Sequence, residues 1–485
     1  MISGTAPDIK KLGVFYFLIA LFIGLNAWFA VHDILWFTAV PVALFLLFYL
    51  FFSLDKVLWF VVMATPLAIN TRIPDFGLAI SLPTEPLLIS ILMVFILKIF
   101  HQGALDRDFI RHPITIAILI NLLWMTVTCF TSSLPLVSLK FIVSRLWFIV
   151  SFYYFGYYLF LKPENVRRFI WAYCIPFVAV IGYTIKMHSD FGFTVDTANW
   201  VMSPFYNDHT AYGAMLAFFI PALVALGFDS KQTLFIRAMG FMLLGVFLLA
   251  IVLSYSRAAW VSLGGAAVIF MLIRLKISFR VVAFSALGGL FFFLAFQDQI
   301  FQKLEKNRQD SSSDIGEHVK SISNISSDAS NLERINRWQS AIRMFKARPF
   351  FGWGPGTYSF KYAPFQFSYE KTIISTNAGN RGNAHSEYIG PLAESGALGT
   401  ITFLFIIAMI YYRGILLYHR IPEGRDKAML LAVLLGLVTY FTHGILNNFL
   451  DTDKASVPFW AFLAIITALD VRYKKEEKKS VEPAA

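Results

Sequence analysis

FIRAMGFMLLGVFLLAIVLSYSRAAWVSLGGAAVIFMLIR, residues 235–274, holds only three charges, Arg237, Arg257 and Arg274. They stand near the ends and in the turn SYSR, between two apolar runs of roughly 17 to 20 residues. At about 1.5 Å per residue, a helix of that length crosses roughly 30 Å of hydrocarbon. The stretch reads as two membrane spans joined by a tight turn that carries an arginine.

The same pattern recurs along nearly the whole chain. With 57% hydrophobic, 17% aromatic and 15% charged residues in 485, and a mean hydropathy of +0.64, the chain is too apolar for a soluble globular protein. Fourteen spans are expected: 12–31, 34–53, 56–70, 84–100, 114–131, 140–161, 168–187, 208–228, 235–254, 258–274, 280–297, 398–417, 427–447 and 456–471. The third is short and runs into the Pro-rich stretch Ile73 to Pro86, so 12 or 13 is the alternative count. The expected fold is all-α and polytopic, with about 12–14 transmembrane helices. The first run has no small-residue cleavage site after it and reads as a retained span.

The net charge of +11 would suit nucleic acid if the cations formed one patch, but they fall in alternate loops. Lys10 and Lys11, Lys56, Lys98 to Arg111, Lys162 to Arg168, Lys231 to Arg237, Arg274 to Arg280, Arg413 to Lys427 and Arg472 to Lys479 all lie on one side if the spans alternate. Orientation by positive loops makes that side cytoplasmic. Cys129 and Cys174 both sit inside apolar runs, so they staple no external domain and build no metal site.

One external connection is far longer than the rest, from about Gln297 to His385. Asp310 to Asn331 is Ser-rich and poor in apolar residues. Leu332, Ile335, Trp338, Ile342 and Phe345 then recur at helical spacing, with Asn331 as N-cap and Pro349 as stop. They predict an amphipathic helix lying on the outer membrane surface or on the span bundle. GWGPGTYSF reads as a glycine-proline turn, and NAGNRGNAH as a second flexible run that delivers His385. The expected division is 1–199 N-terminal spans, 200–297 further spans, 298–397 the large loop, 398–472 C-terminal spans and 473–485 a basic cytoplasmic tail. No internal repeat is visible.

This topology gathers cations on the external face, where they are the exception. Arg257 lies in the SYSR turn, Lys186 closes a span, and Lys140 and Arg145 lie in the outer part of another. The long loop adds Arg334, Arg337, Arg381 and His385. Guanidinium groups bind phosphate oxygens as a bidentate fork without a metal. Blander roles stay open: Arg257 as a snorkelling lipid contact, Lys140 and Lys186 as interfacial anchors, Arg334 and Arg337 as the polar face of their helix. Arg145 lies deeper, where an arginine is by default paired or functional.

His385, in NAHSEYIGPLAESGALG, is a titratable imidazole where a polar loop meets an apolar span. With an ordinary pKa near 6.5 it can take a proton from an attacking hydroxyl. Glu387 and Glu394 either orient the ring or are helix-end residues, and Glu387 and Tyr388 are candidate substrate contacts. A capping role for His385 is the alternative. His209 reads mainly as structural, and His188 and His443 also fall near the outer side. GxxxxGK[ST], HExxH and a nucleotide-binding glycine motif are missing, so energy has to come from an activated substrate.

The order SYSRAAWVSL, ERINRWQSAIRMFKARPFFGWGPGTYSF, AHSEYIGPLAESGALG resembles the O-antigen ligase and polymerase family, bacterial polytopic glycosyltransferases that include protein O-oligosaccharyltransferases. The resemblance covers roughly residues 200 to 450. It implies a metal-independent, inverting glycosyl transfer without cofactor, at the periplasmic side of the inner membrane. The donor is an undecaprenyl-pyrophosphate-linked glycan. The acceptor is a lipid A core sugar, another carrier-linked glycan or a protein hydroxyl, and no nucleic acid is involved. By the same resemblance Arg257 holds the pyrophosphate, and His385 activates the acceptor hydroxyl or helps the pyrophosphate leave. One departure stands out: the family often has a basic residue just before the span at 208, and Asp196 to Tyr206 contains none. Lys186 is the nearest candidate, with Arg145, Arg337 or Arg381 as substitutes. The competing expectations are a lipid-linked oligosaccharide flippase or exporter, which the acid-poor spans after residue 200 disfavour, and a non-catalytic envelope-assembly subunit.

Overall fold

The computed structural model describes residues 9–33, 37–38, 40–73, 78–102, 105–277, scattered positions from 281 to 296, 329–370 and 382–481. The chain is a polytopic all-α membrane protein, with ten helices among these residues long and apolar enough to span. Two compact units divide at residue 57. The first holds two apolar helices, α1 (Ile9–Val31) and α2 (Val40–Phe52), and the start of α3 (Leu54–Ala64).

The expected third span, 56–70, is corrected. Helix α3 ends at Ala64, because Thr65–Leu67 tightens to a 3-10 turn around Pro66 and the chain then extends into a hairpin. Strands β1 (Ile69–Ile73) and β2 (Leu78–Leu82) pair antiparallel, with Ile69 opposite Leu82. Proline disfavours continued helix by removing an N–H and crowding the preceding turn. The expected span 280–297 lies largely outside the described residues.

The remaining helices are α4 (Thr84–Gln102), α5 (Arg107–Ile110), α6 (Pro113–Phe130), α7 (Pro135–Phe148), α8 (Phe155–Phe160), α9 (Glu164–Asp190), α10 (Val195–Ala198), α11 (His209–Gly227), α12 (Leu234–Leu253) and α13 (Arg257–Arg274). They continue as α14 (Ala329–Ala347), α15 (Tyr358–Lys361), α16 (Ile389–Arg420), α17 (Arg425–His443) and α18 (Asp453–Val481). A π segment, Ile149–Tyr154, joins α7 to α8 as one span.

Helix α18 is the innermost: its apolar window is entirely buried, against α8, the π segment, α16 and α17. Small residues let its neighbours close in, since helices in hydrocarbon associate by packing rather than by expelling water. A Cβ at Gly436 of α17 would lie 2.7 Å from the Phe218 carbonyl of α11. One end of the bundle is tied by Asp470, which accepts from His112 Nε2 at 3.0 Å, Arg413 Nε at 2.9 Å and Arg420 Nη1 at 3.3 Å. His112 Nδ1 accepts the Ile114 N–H at 3.3 Å as a helix cap, so Nε2 carries its proton.

The loop helix α14 packs on α16, on the bundle, and starts two residues before the expected cap Asn331. Its most buried face is not the apolar stripe. Glu333, Asn336, Arg337, Ser340, Ala341 and Met344 are buried, whereas Ile342 is exposed and Ile335, Trp338 and Phe345 are half-buried. The buried polar groups are satisfied within the loop: Arg337 pairs with Glu333 at 2.8 Å, Ser340 donates to the Asn336 carbonyl at 2.9 Å, and Asn336 donates to the Glu370 carbonyl. A polar stripe can be buried once each group has its partner.

Candidate functional site

The opposite end of the bundle is where α11, α13, α16 and α18 begin. Asp208 caps α11, accepting the Thr210 and Ala211 N–H groups at 2.8 Å each. One turn further on, Gly213 admits the turn before α13: a Cβ there would stand 2.8 Å from Ser256 Cβ. Arg257 is therefore the first residue of a helix held against the start of α11. Its N-cap, Ser256, makes no side-chain cap bond to α13, and a helix N-terminus with a cation on it concentrates positive potential.

His385 arrives on the stretch before α16. Its backbone is left-handed, φ +49°, and Asn383 Oδ1 accepts its N–H at 3.1 Å in an Asx turn that suits such a conformation. Trp338 Nε1 of α14 donates to the His385 carbonyl at 3.3 Å, and Arg337 Nη1 to the Asn383 carbonyl at 3.4 Å. Burial first, then the positive charges of Arg334 and Arg337, push the imidazole down to about 4, against weaker opposition from Asp208 and Glu333. At neutral pH the ring is uncharged and can accept a proton.

Glu387 does not orient that ring. Its Oε1 accepts from Tyr440 Oη at 2.5 Å, Phe449 N at 2.7 Å and Leu450 N at 3.0 Å, and its own N–H donates to the Gly444 carbonyl at 2.8 Å. Tyr388 Oη donates to the Phe441 carbonyl at 2.8 Å. Both residues pin the start of α16 to the end of α17. Glu394 Oε1 accepts the Tyr358 N–H at 3.0 Å, another fastening of the loop.

The GWGPG turn locks the loop onto the spans. Trp353 N donates to the Ala393 carbonyl at 3.1 Å and Gly354 N to that of Glu394 at 2.8 Å. The Trp353 carbonyl accepts from Ser133 N at 2.9 Å, and that of Pro355 from Ser138 Oγ at 2.9 Å. Gly354, at φ +110°, leaves no room for a side chain beside Ser132, and Gly352, at φ +66°, presses on the Glu394 backbone. The partner surface bends to fit: α16 is broken at Gly396, φ +69°.

The structure thus brings His385, Arg334, Arg337 and Arg257 to the same end, around the start of α11. Arg337 is 4% exposed and acts in part as an anchor, ion-paired to Glu333 and 4.7 Å over the Tyr362 ring. Arg145 stands separately on α7, 5.3 Å from the Phe141 ring, lining a cavity with Asn121, Glu387, Glu394 and Trp460. Lys186, near the end of α9, is exposed and ion-paired to Asp190 one turn on. Arg381 lies outside the described residues. Asp208 was not singled out in the sequence, although an Asp just before an apolar run is a readable N-cap signal. His209 and His443 also belong to this end, and Asp208 and Arg334 are charged neighbours of His443 as well as of His385.

The chain is a polytopic membrane helix bundle with a loop docked on it by glycine turns. Residues 240–404, from α12 across the loop into α16, match the family described as O-antigen ligase, which bears out the resemblance read from the sequence. That match supports glycan transfer in polysaccharide assembly. No curated protein matches the chain.

Proposed function

We propose that this protein transfers a glycan from an undecaprenyl-pyrophosphate carrier to an acceptor hydroxyl, at the periplasmic side of the bacterial inner membrane. The observation that carries the reading is the convergence of a neutral His385 with Arg334 and Arg257 at one end of the bundle. The acceptor oxygen attacks the anomeric carbon from the face opposite the pyrophosphate, and its proton passes to the imidazole. The bond from that carbon to the pyrophosphate oxygen breaks, with inversion. Arg257, Arg334 and the α13 N-terminus hold the charge that leaves, a role that requires no metal.

The two functions are coupled by charge. In the free protein Arg334 and Arg337 depress the basicity of His385. A bound pyrophosphate offsets them, so the ring becomes a better base when the donor is in place. The acceptor is a core sugar, a second carrier-linked glycan or a protein hydroxyl, and surface-polysaccharide ligation or polymerisation is the preferred reading. The test is transfer by the purified protein in detergent, with glycan-pyrophosphoryl-undecaprenol and each acceptor class. His385→Asn and Arg257→Ala should each lose at least 100-fold in rate, on the order of the contribution of a general base or an oxyanion donor. Transfer at wild-type rate by both folded variants would refute the mechanism.

A further inference from the structure

His443, the last residue of α17, is 1% exposed. Asn447 Nδ2 lies 3.4 Å from its Nδ1. An amide donating there leaves the proton on Nε2. That nitrogen has no hydrogen-bond partner among the described residues. A buried donor without an acceptor is destabilising, and such groups are rare in native proteins.

The place of this ring gives the donor a use. The segment that carries His385 runs alongside the residue after His443, through the bond from Glu387 N to the Gly444 carbonyl at 2.8 Å, and Asn383 Nδ2 reaches the Asn448 carbonyl at 3.5 Å. His385 and His443 also have the same two charges as neighbours, Asp208 and Arg334. A neutral N–H beside a guanidinium suits an anionic oxygen, because the donor adds a directed hydrogen bond to the charge.

We propose that His443 is a donor-binding residue, whose Nε2–H bonds a pyrophosphate oxygen of the polyprenyl carrier on the side of the site away from His385. The assignment rests on the function proposed above. His443 takes no proton in the reaction; its hydrogen bond strengthens as charge moves onto the leaving pyrophosphate. It is a neutral contact to the group whose charge Arg257 and Arg334 meet.

The test uses the full-length protein in detergent and undecaprenyl pyrophosphate itself as probe, with undecaprenyl monophosphate as the second arm. Affinity and unliganded melting temperature are read for wild type, His443→Phe and His443→Gln. His443→Phe keeps a flat ring without the donor. It should bind the pyrophosphate about tenfold or more weakly, and any fall in its melting temperature reports the Asn447 amide that loses Nδ1 as its acceptor. His443→Gln keeps an N–H and should retain most of the affinity. Wild-type affinity in His443→Phe overturns the assignment, and so does a loss of affinity in His443→Gln as large as in His443→Phe, the mark of a ring serving only the fold. Wild-type protein that binds neither lipid would overturn the proposed function and this assignment together. Loss of affinity for both lipids alike in His443→Phe would place the contact on the carrier-proximal phosphate, and loss for the pyrophosphate alone on the terminal one; either supports the assignment.

Discussion

Replacing Arg334 by Gln should raise the basicity of His385, and the size of the change is bounded by the structure. The imidazole sits at about 4 in place of its ordinary 6.5, with burial as the largest cause, Arg334 next and Arg337 third. One cation several ångströms away, in surroundings between roughly protein-like and aqueous dielectric, accounts for about half a unit to one unit. Burial and Arg337 remain in the variant, so the midpoint should move up to about 5 and stay below 6.5. Diethylpyrocarbonate acylates the neutral imidazole, and mass spectrometry of the His385 peptide reads its rate against pH despite the other histidines. Undecaprenyl pyrophosphate bound to the wild type should shift the midpoint in the same direction. A wild-type midpoint at 6.5, or the same midpoint in Arg334→Gln, would refute the argument that these arginines hold the ring neutral. The sign carries over to stability: a histidine depressed in the folded state contributes stability above 6.5 that is lost as pH falls through about 4.

Gly354→Ala places a methyl group against Ser132 at a φ of +110°, which should cost roughly 3 kcal/mol by overlap and backbone strain together and lower the melting temperature by several degrees; an unchanged melt would contradict the docking role of the turn. Glu387→Leu strips the half-buried Phe449 and buried Leu450 N–H groups of their acceptor, a loss of about 3 kcal/mol, whereas Glu387→Gln retains an acceptor oxygen and should melt close to wild type. Donor titrations should separate Arg257→Ala, with KM raised about tenfold or more by loss of a charge-assisted contact, from Lys186→Ala, whose exposed partner is Asp190 and whose kinetics should match wild type; equal effects would relocate the donor site.

The spans were legible because hydrocarbon demands long apolar runs, and α11, α12 and α13 begin and end within a residue or two of the expected limits. The third span was not, since Pro66 and the β1–β2 hairpin break an apolar stretch whose hydropathy alone says nothing of hydrogen bonding. For α14 the periodicity revealed the helix but not that polar residues line its most buried face. Asn336 and Arg337 are buried because carbonyls distant in sequence, those of Glu370 and Asn383, accept their hydrogen bonds, and no local pattern reports that, whereas Glu333 is met by Arg337 one turn on. The cationic end was readable from topology, but the sequence left Glu387 open between orienting His385 and a helix-end role, and its Oε1 accepts hydrogen bonds from the α17–α18 connection. Sequence proximity does not fix on which side of a turn two side chains emerge.

The left-handed backbone at His385 makes the position selective in a second way. Only glycine, and less readily asparagine, aspartate and histidine, accept such angles at little cost. An alanine there would alter the path of the chain as well as delete the ring, so its phenotype would mix two causes. Asparagine keeps the path. The aim of the imidazole is therefore set by main chain, through Asn383 and Trp338, and not by a carboxylate behind it. The geometry of the proposed base depends on how well α14 and the GWGPG turn are seated, so damage at that turn should reach transfer as misdirection of an intact residue.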